Sequence, residues 1–270
     1  EVQELARILT GVGLNLSCNE PHIPPAWRAR SRAQGLFAFN PMRHDFGEKT
    51  FLGGKIEGQG LDEAARAAVI LSLEPPTAMF VSKKLAEYFC CDAPPDSLMR
   101  AMAATFQSSD GDIAAVLKTL FTAPEFKASL GGKFKDPIHY VVSAVRAAYG
   151  EQPIVNATPL INWLNRMGEP LYGHETPDGY PMDAAAWSGP GQMETRFEFA
   201  QALGHGGLPL FAPAPQSPRP QPVPPALLQT AYYQAVAPGL SPATRNALAQ
   251  SANPGDKAML LLASPEFMRR

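Results

Sequence analysis

The sequence predicts an all-α fold: an irregular helical array with long loops, a proline-rich strap and at most one short β-hairpin. Three observations lead there. Apolar residues recur at one-face helical spacing in segment after segment. Helix-start chemistry, an Asp, Ser or Thr beside a proline or ahead of an apolar run, opens most of those segments. The 28 prolines interrupt the pattern between the segments and crowd into one strap. With 45% apolar and 18% charged residues, the 270-residue chain can bury one sizeable core or two small ones.

Taken in order, residues 2–10 read as a helix closed by Gly11 or Gly13. The stretch 15–41 has no usable periodicity and carries Pro21, Pro24, Pro25 and Pro41, so it reads as loop, with one short strand at Phe37-Ala38-Phe39. Residues 61–73 are strongly helical, with Asp62 and Glu63 placed to suit the helix dipole, and Pro75-Pro76 should stop them. Thr77 should cap the next helix, which carries Ala78, Val81, Leu85 and Phe89 on one face. Further helices are expected from Pro94 to Phe106, from Ser109 to Phe121, from Asp136-Pro137 through Val145, from Pro159 to Met167 and from Gln192 to Leu203. Residues 168–191 are nearly all turn chemistry, residues 209–225 are the strap, and two or three short helices close the chain. The domain organisation expected is a main helical domain over 1–208, a strap over 209–225, and C-terminal helices over 226–270 packing back on the main domain. A weak repeat runs through it. Gly111-Asp112 leads by a helix to Ala123-Pro124-Glu125-Phe126, and Gly255-Asp256 leads by another to Ser264-Pro265-Glu266-Phe267, which reads as a shared structural corner.

Composition excludes several classes. The formal net charge is −2 and basic residues are scattered apart from Arg28, Arg30 and Arg32, so nucleic acid is not an expected partner. No apolar run approaches the ~20 residues of a transmembrane helix. Cys90 and Cys91 are adjacent and Cys18 stands alone; buried thiols are the expectation, with a bridge from Cys18 to either left open. The chain starts at Glu1 inside a helical pattern, which reads as a fragment lacking an N-terminal part.

The densest run of glycine, charge and aromatic residues is His44 to Gly54. His44-Asp45 offers a general base with an orienting carboxylate, or two metal ligands. The competing reading is a structural turn in which the aspartate caps backbone amides. Lys49, Arg7 and Glu48 would give electrostatic support. A second polar cluster, His174-Glu175 with Asp178 and Asp183, lies on a loop without EF-hand spacing and reads as solvated. Gly-x-Ser-x-Gly, His-Glu-x-x-His and Ser-x-x-Lys are absent, and Gly53-Gly54-Lys55 lacks the rest of a phosphate loop.

Several motifs in fixed order carry a resemblance. They include Glu4-Leu5-Ala6-Arg7, His44-Asp45-Phe46-Gly47-Glu48-Lys49, Pro76-Thr77-Ala78, Ser109-Asp110-Gly111-Asp112, Phe134-Lys135-Asp136-Pro137, Pro177-Asp178-Gly179-Tyr180-Pro181, Trp187, Arg196-Phe197 and Ser264-Pro265-Glu266-Phe267. Over nearly its whole length the chain resembles the C-terminal part of the bacterial domain of unknown function 1800 family, with that family's longer N-terminal half absent. The resemblance implies a mostly helical, exported protein, periplasmic or extracellular, partnered by the missing half and by a sulfatase-like protein. It adds Trp187 and Arg196 to Arg7, Glu48 and Lys49 as candidate binding residues. The adjacent Cys90-Cys91 and the proline strap depart from the family's usual pattern. The expected function is binding or structural, at the cell envelope, toward a partner protein or polymer. The rival is a hydrolytic or metal-assisted enzyme centred on His44 and Asp45. Neither a metal nor a cofactor is assigned.

Overall fold

A computed structural model describes residues 1–16, 23–150, 152–212 and 225–270. Within these the chain is mostly helical, with fourteen α-helices and five three-residue strands. In order they are α1 (Val2–Ile8), β1 (Val12–Leu14), α2 (Pro25–Arg28), β2 (Arg32–Gln34), β3 (Phe37–Phe39), β4 (Lys49–Phe51), β5 (Gly54–Ile56), α3 (Leu61–Leu73), α4 (Pro75–Phe89), α5 (Asp96–Ser108), α6 (Ile113–Thr122), α7 (Pro124–Ser129), α8 (Pro137–Tyr149), α9 (Thr158–Arg166), α10 (Ala184–Trp187), α11 (Pro190–Gly204), α12 (Ala231–Val236), α13 (Pro242–Gln250) and α14 (Pro254–Leu262). Among the described residues no helix is long and apolar enough to cross a membrane.

The chain divides into two compact units. The first holds Glu1–Lys83 and Met99–Thr119, and the second holds Lys84–Leu98 and Leu120–Arg270. The strap expected at 209–225 falls outside the described residues from 213 to 224, as does Cys18 and hence any bridge it makes; Cys90 and Cys91 are free thiols.

In the first unit two small antiparallel sheets replace the single hairpin expected. One has strand order β1-β3-β2, with Val12 opposite Phe39 and Arg32 opposite Phe39; the other is the β4–β5 hairpin. The described residues of 15–41 hold the strand expected at Phe37–Phe39 and, beside it, a second strand and a helical turn too short for a period to register. Leu52 and Gly53 turn the β4–β5 hairpin with positive φ (49° and 76°), the combination that matches strand twist in two-residue hairpins. The strand β4 then alternates, Lys49 and Phe51 inward and Thr50 outward. Ile8, Phe51, Ile56 and Ala67 form the small apolar core that joins α1, the hairpin and α3. Gly58 has no substitute here, because a Cβ would sit 1.8 Å from the Phe46 carbonyl oxygen.

Pro75-Pro76 does end α3, but it opens α4 in the same step, with both prolines in the first turn where no N–H is needed. Thr77 is therefore inside α4 rather than its cap, and its hydroxyl donates back to the Leu71 carbonyl, closing the corner (2.6 Å).

The second unit is built on α8, α9, α11 and α14. Tyr140, Val141, Ala144, Leu164, Phe199, Leu203, Ala258, Leu261 and Leu262 are buried together, with Leu248 of α13 and Phe267 beside them. The helix α8 starts as expected, the Asp136 carboxylate accepting from the His139 N–H (2.8 Å) with Pro137 following. The helices α11 and α14 approach through glycine: a Cβ on Gly204 would lie 2.8 Å from the Gly255 carbonyl oxygen.

The repeat is a bracing motif. After each corner proline the glutamate reaches the start of an earlier helix: Glu125 accepts from the Ser97 hydroxyl (3.3 Å), and Glu266 from the Ser241 N–H (2.7 Å) and the Thr244 hydroxyl (2.9 Å). Burial pushes the Glu266 carboxyl up, but the Ser241 and Thr244 donors outweigh it and hold the group down at about 2. Its contribution is complete above its ordinary value of 4.5 and is lost as pH falls toward 2. Glu266→Ala is expected to cost roughly 1–3 kcal/mol at pH 7, the penalty of leaving these donors unmet. Urea midpoints at pH 7 and pH 3 check this, since the difference from wild type should shrink at pH 3.

Candidate functional site

Five of the seven candidate catalytic and binding residues, Arg7, His44, Asp45, Glu48 and Lys49, lie in the first unit. The hairpin turns Lys49 inward, Glu63 lies at the third position of α3, and a short helical turn over Pro41–Arg43 delivers His44. Glu63 is the hub. Its Oε1 accepts from the Gly60 N–H (2.9 Å) and lies 2.9 Å from His44 Nε2, while Oε2 accepts from the Lys49 ammonium (2.5 Å). The Lys49 ammonium also donates to the Asp45 carbonyl oxygen. The other ring nitrogen of His44, Nδ1, lies 2.7 Å from the Thr10 carbonyl oxygen. Edge-on contacts with Phe39 and Phe46 close the ring in at centroid distances of 5.3 and 4.7 Å. The side chains of His44, Lys49 and Glu63 are 0%, 0% and 1% exposed. Burial raises the Glu63 carboxyl, and the hydrogen bonds from Lys49, His44 and Gly60 more than reverse that, leaving it below its ordinary value.

Asp45 sits outside this knot. Its Oδ2 accepts from Arg7 Nε (2.8 Å) and its Oδ1 from the Gly47 N–H (2.8 Å), which holds its carboxyl down at about 2. Its own N–H donates to the Thr10 hydroxyl (2.8 Å). Arg7 also binds the Glu4 carboxylate, and these two acids hold its guanidinium charged. Glu48 is exposed and pairs with Lys55 (3.0 Å). His44 and Asp45 are neighbours in sequence with separate partners: no hydrogen bond orients the ring through the adjacent carboxylate.

Trp187 and Arg196 belong to the second unit. Arg196 is fully buried, lying over the rings of Phe134 (4.7 Å) and Tyr140 (4.8 Å), with Nη2 donating to the Lys135 carbonyl (2.7 Å). Its Nε and Nη1 have no partner among the described residues. Burial brings this guanidinium down to about 10, lowers the nearby Lys135 to about 8 and raises Glu169 to about 7. Trp187 is buried too, and its indole N–H donates to the Pro181 carbonyl (2.8 Å).

That bond helps hold the wall of a cleft. A cavity of about 350 Å³ in the second unit is lined by Lys84, Glu87, Asp92, His174, Asp178 and Tyr180, with Pro181 to Asp183 completing it. Its walls are positioned by explicit bonds. Asp92 accepts from the Lys133 ammonium (2.7 Å) and the Ala184 N–H (2.7 Å), Asp183 caps α10 through the Ala186 N–H (3.1 Å), and the Tyr180 hydroxyl donates to the Pro170 carbonyl (2.9 Å). His174 packs edge-on against Tyr180 at 4.7 Å, and its Nδ1 lies within hydrogen-bond distance of the Thr176 carbonyl oxygen (2.9 Å) and hydroxyl (3.2 Å). Asp178 is held below its usual range by the Thr176 hydroxyl.

The sequence reading took the His174, Glu175, Asp178 and Asp183 cluster for solvated loop, and Asp178 is exposed; it read Glu63 only as a dipole partner and did not single out Lys84, Glu87 or Asp92. Glu63 had a signal, its third position behind Gly60, where a helix-start glutamate reaches back to the preceding N–H. The other three lie on or just beyond a helix whose polar face carries no local mark. Among the described residues no three His, Cys, Asp or Glu side chains converge to hold a metal ion.

Residues 1–269 match the model of a family described as a protein of unknown function (DUF1800). No curated protein and no solved structure matches the chain.

Proposed function

The chain belongs to the DUF1800 family of proteins of unknown function, and from that footing we propose that it is a binding protein of the cell envelope, whose second unit holds a segment of a hydroxyl- or amine-bearing polymer in its polar cleft. The observation that carries this reading is the cleft itself. Its volume, about 350 Å³, falls in the range of small-ligand sites and suits one or two sugar-sized units. A protein partner would instead need roughly 800 Å² of surface on each side. The lining carboxylates match ligand groups that donate.

The first unit supports binding over catalysis. A general base must come within hydrogen-bond reach of a substrate proton. His44 has both ring nitrogens engaged and no exposed surface, and Asp45 is committed to Arg7 and Gly47. The group there acts as a buried fastening between α1, the hairpin and α3.

The cleft is tested by co-sedimentation with insoluble peptidoglycan. Wild type is expected to pellet with the polymer. The triple variant Glu87→Ala, His174→Ala, Asp178→Ala should lose at least about five-fold in affinity, as expected when two or three ligand bonds of roughly 0.5–1.5 kcal/mol each are removed. His44→Ala should retain the wild-type affinity when folded. Equal pelleting of wild type and the triple variant contradicts the proposal.

A further inference from the structure

The far end of the three-stranded sheet in the first unit exposes aliphatic side chains that a folded surface ordinarily covers. Leu14 and Phe37 face each other across β1 and β3, and the Asn15 N–H donates to the Leu36 carbonyl (2.7 Å), so the end of β1 and the β2–β3 turn lie side by side. Leu14 is 73% exposed, Leu16 80% and Leu36 58%, and Phe37 is also exposed. Four apolar side chains thus project from one end of a small sheet.

The chain that carries this end is basic. Between Leu9 and Arg43 the sequence has four arginines, Arg28, Arg30, Arg32 and Arg43, and one acidic residue, Glu20, which lies outside the described residues. Arg32 is two residues before Gln34, the β2 neighbour of Phe37, which puts it roughly 7 Å back from the tip at ~3.3 Å per strand residue. The arginines are held by neutral groups. Arg28 donates to the Ile23 carbonyl (3.1 Å), Arg32 to those of Ala29 (3.0 Å) and Ser31 (2.9 Å), and Arg30 lies over the Phe46 ring (5.2 Å). Among the described residues none of them pairs with a carboxylate.

We propose that this end of the sheet docks on an anionic phospholipid bilayer, with Leu14, Leu16, Leu36 and Phe37 entering the acyl boundary and Arg28, Arg30 and Arg32 meeting the headgroups. Interfacial attachment grows with buried apolar area and with attraction to anionic lipid, and this surface supplies both. The aliphatic tip sets a bilayer apart from a soluble polyanion, which offers nothing for leucines to enter. The inference goes beyond the polymer-binding reading and uses none of the cleft residues, so each stands or fails alone.

The test is flotation of the full chain with vesicles of phosphatidylcholine, alone or with about one-third phosphatidylglycerol. Wild type is expected to float with the anionic vesicles and not with the neutral ones. Both Leu14→Ser with Leu36→Ser, and Arg28→Glu with Arg30→Glu and Arg32→Glu, should lower binding by at least about ten-fold, since each basic residue near a charged surface is worth roughly five-fold and each leucine entering the acyl boundary about ten-fold. Circular dichroism melts confirm folding, and if the double variant fails to fold, the single turn substitution Leu36→Ser replaces it. Absence of wild-type binding, equal binding to neutral vesicles, or undiminished binding by the folded leucine variant would each overturn the proposal.

Discussion

Replacing Glu63 by alanine is expected to destabilise the first unit by about 3–5 kcal/mol, the usual penalty for removing one partner of a buried charge pair. The carboxylate serves a buried ammonium, a buried imidazole and the Gly60 N–H at once. With alanine there, Lys49 keeps only the Asp45 carbonyl as a partner. A fall in melting temperature on the order of 10 °C follows for a chain of this size. Differential scanning calorimetry at pH 7 would measure it. Glu63→Gln should fall between, keeping an acceptor while losing the charge.

Arg196→Ala is expected to cost the second unit about 3–5 kcal/mol, through loss of packing between Phe134 and Tyr140 and loss of the donor to Lys135. Arg196→Met should cost much less. It fills similar volume and removes two donors, Nε and Nη1, that are buried without protein partners. Urea unfolding of both variants tests this. Equal loss in the two would mean that the charge, rather than the volume, is what the site requires.

The contrast between these residues explains what the sequence made legible. Helices were readable because their evidence is local: Asp136-Pro137 marks the start of α8, and the apolar spacing of 61–73 matches the limits of α3. Of the strands only β3, Phe37 to Phe39, was legible from its alternation; three residues such as Arg32 to Gln34 acquire meaning only from β3 opposite. Pro75-Pro76 was read correctly as a stop and missed as a start, because a proline pair satisfies both conditions. At the site, the composition of His44 to Lys49 pointed to the right neighbourhood, where Arg7, His44, Asp45 and Lys49 do gather. What composition cannot convey is burial. The side chain that organises them, Glu63, sits fourteen residues beyond Lys49 and looked like an ordinary dipole partner. The cleft was obscured in the opposite way: its acids are exposed and separately unremarkable, and only the approach of 84–92 to 174–183 makes them one surface.

The measurement that tests the account most directly is hydrogen–deuterium exchange of the full chain, with and without soluble peptidoglycan fragments. The account predicts that added fragments slow exchange over residues 84–92 and 174–183, while 44–63 exchanges at the same rate in both samples. Protection appearing over 44–63 with none at the cleft would contradict it, and would return His44 and Asp45 to the centre of the protein's chemistry.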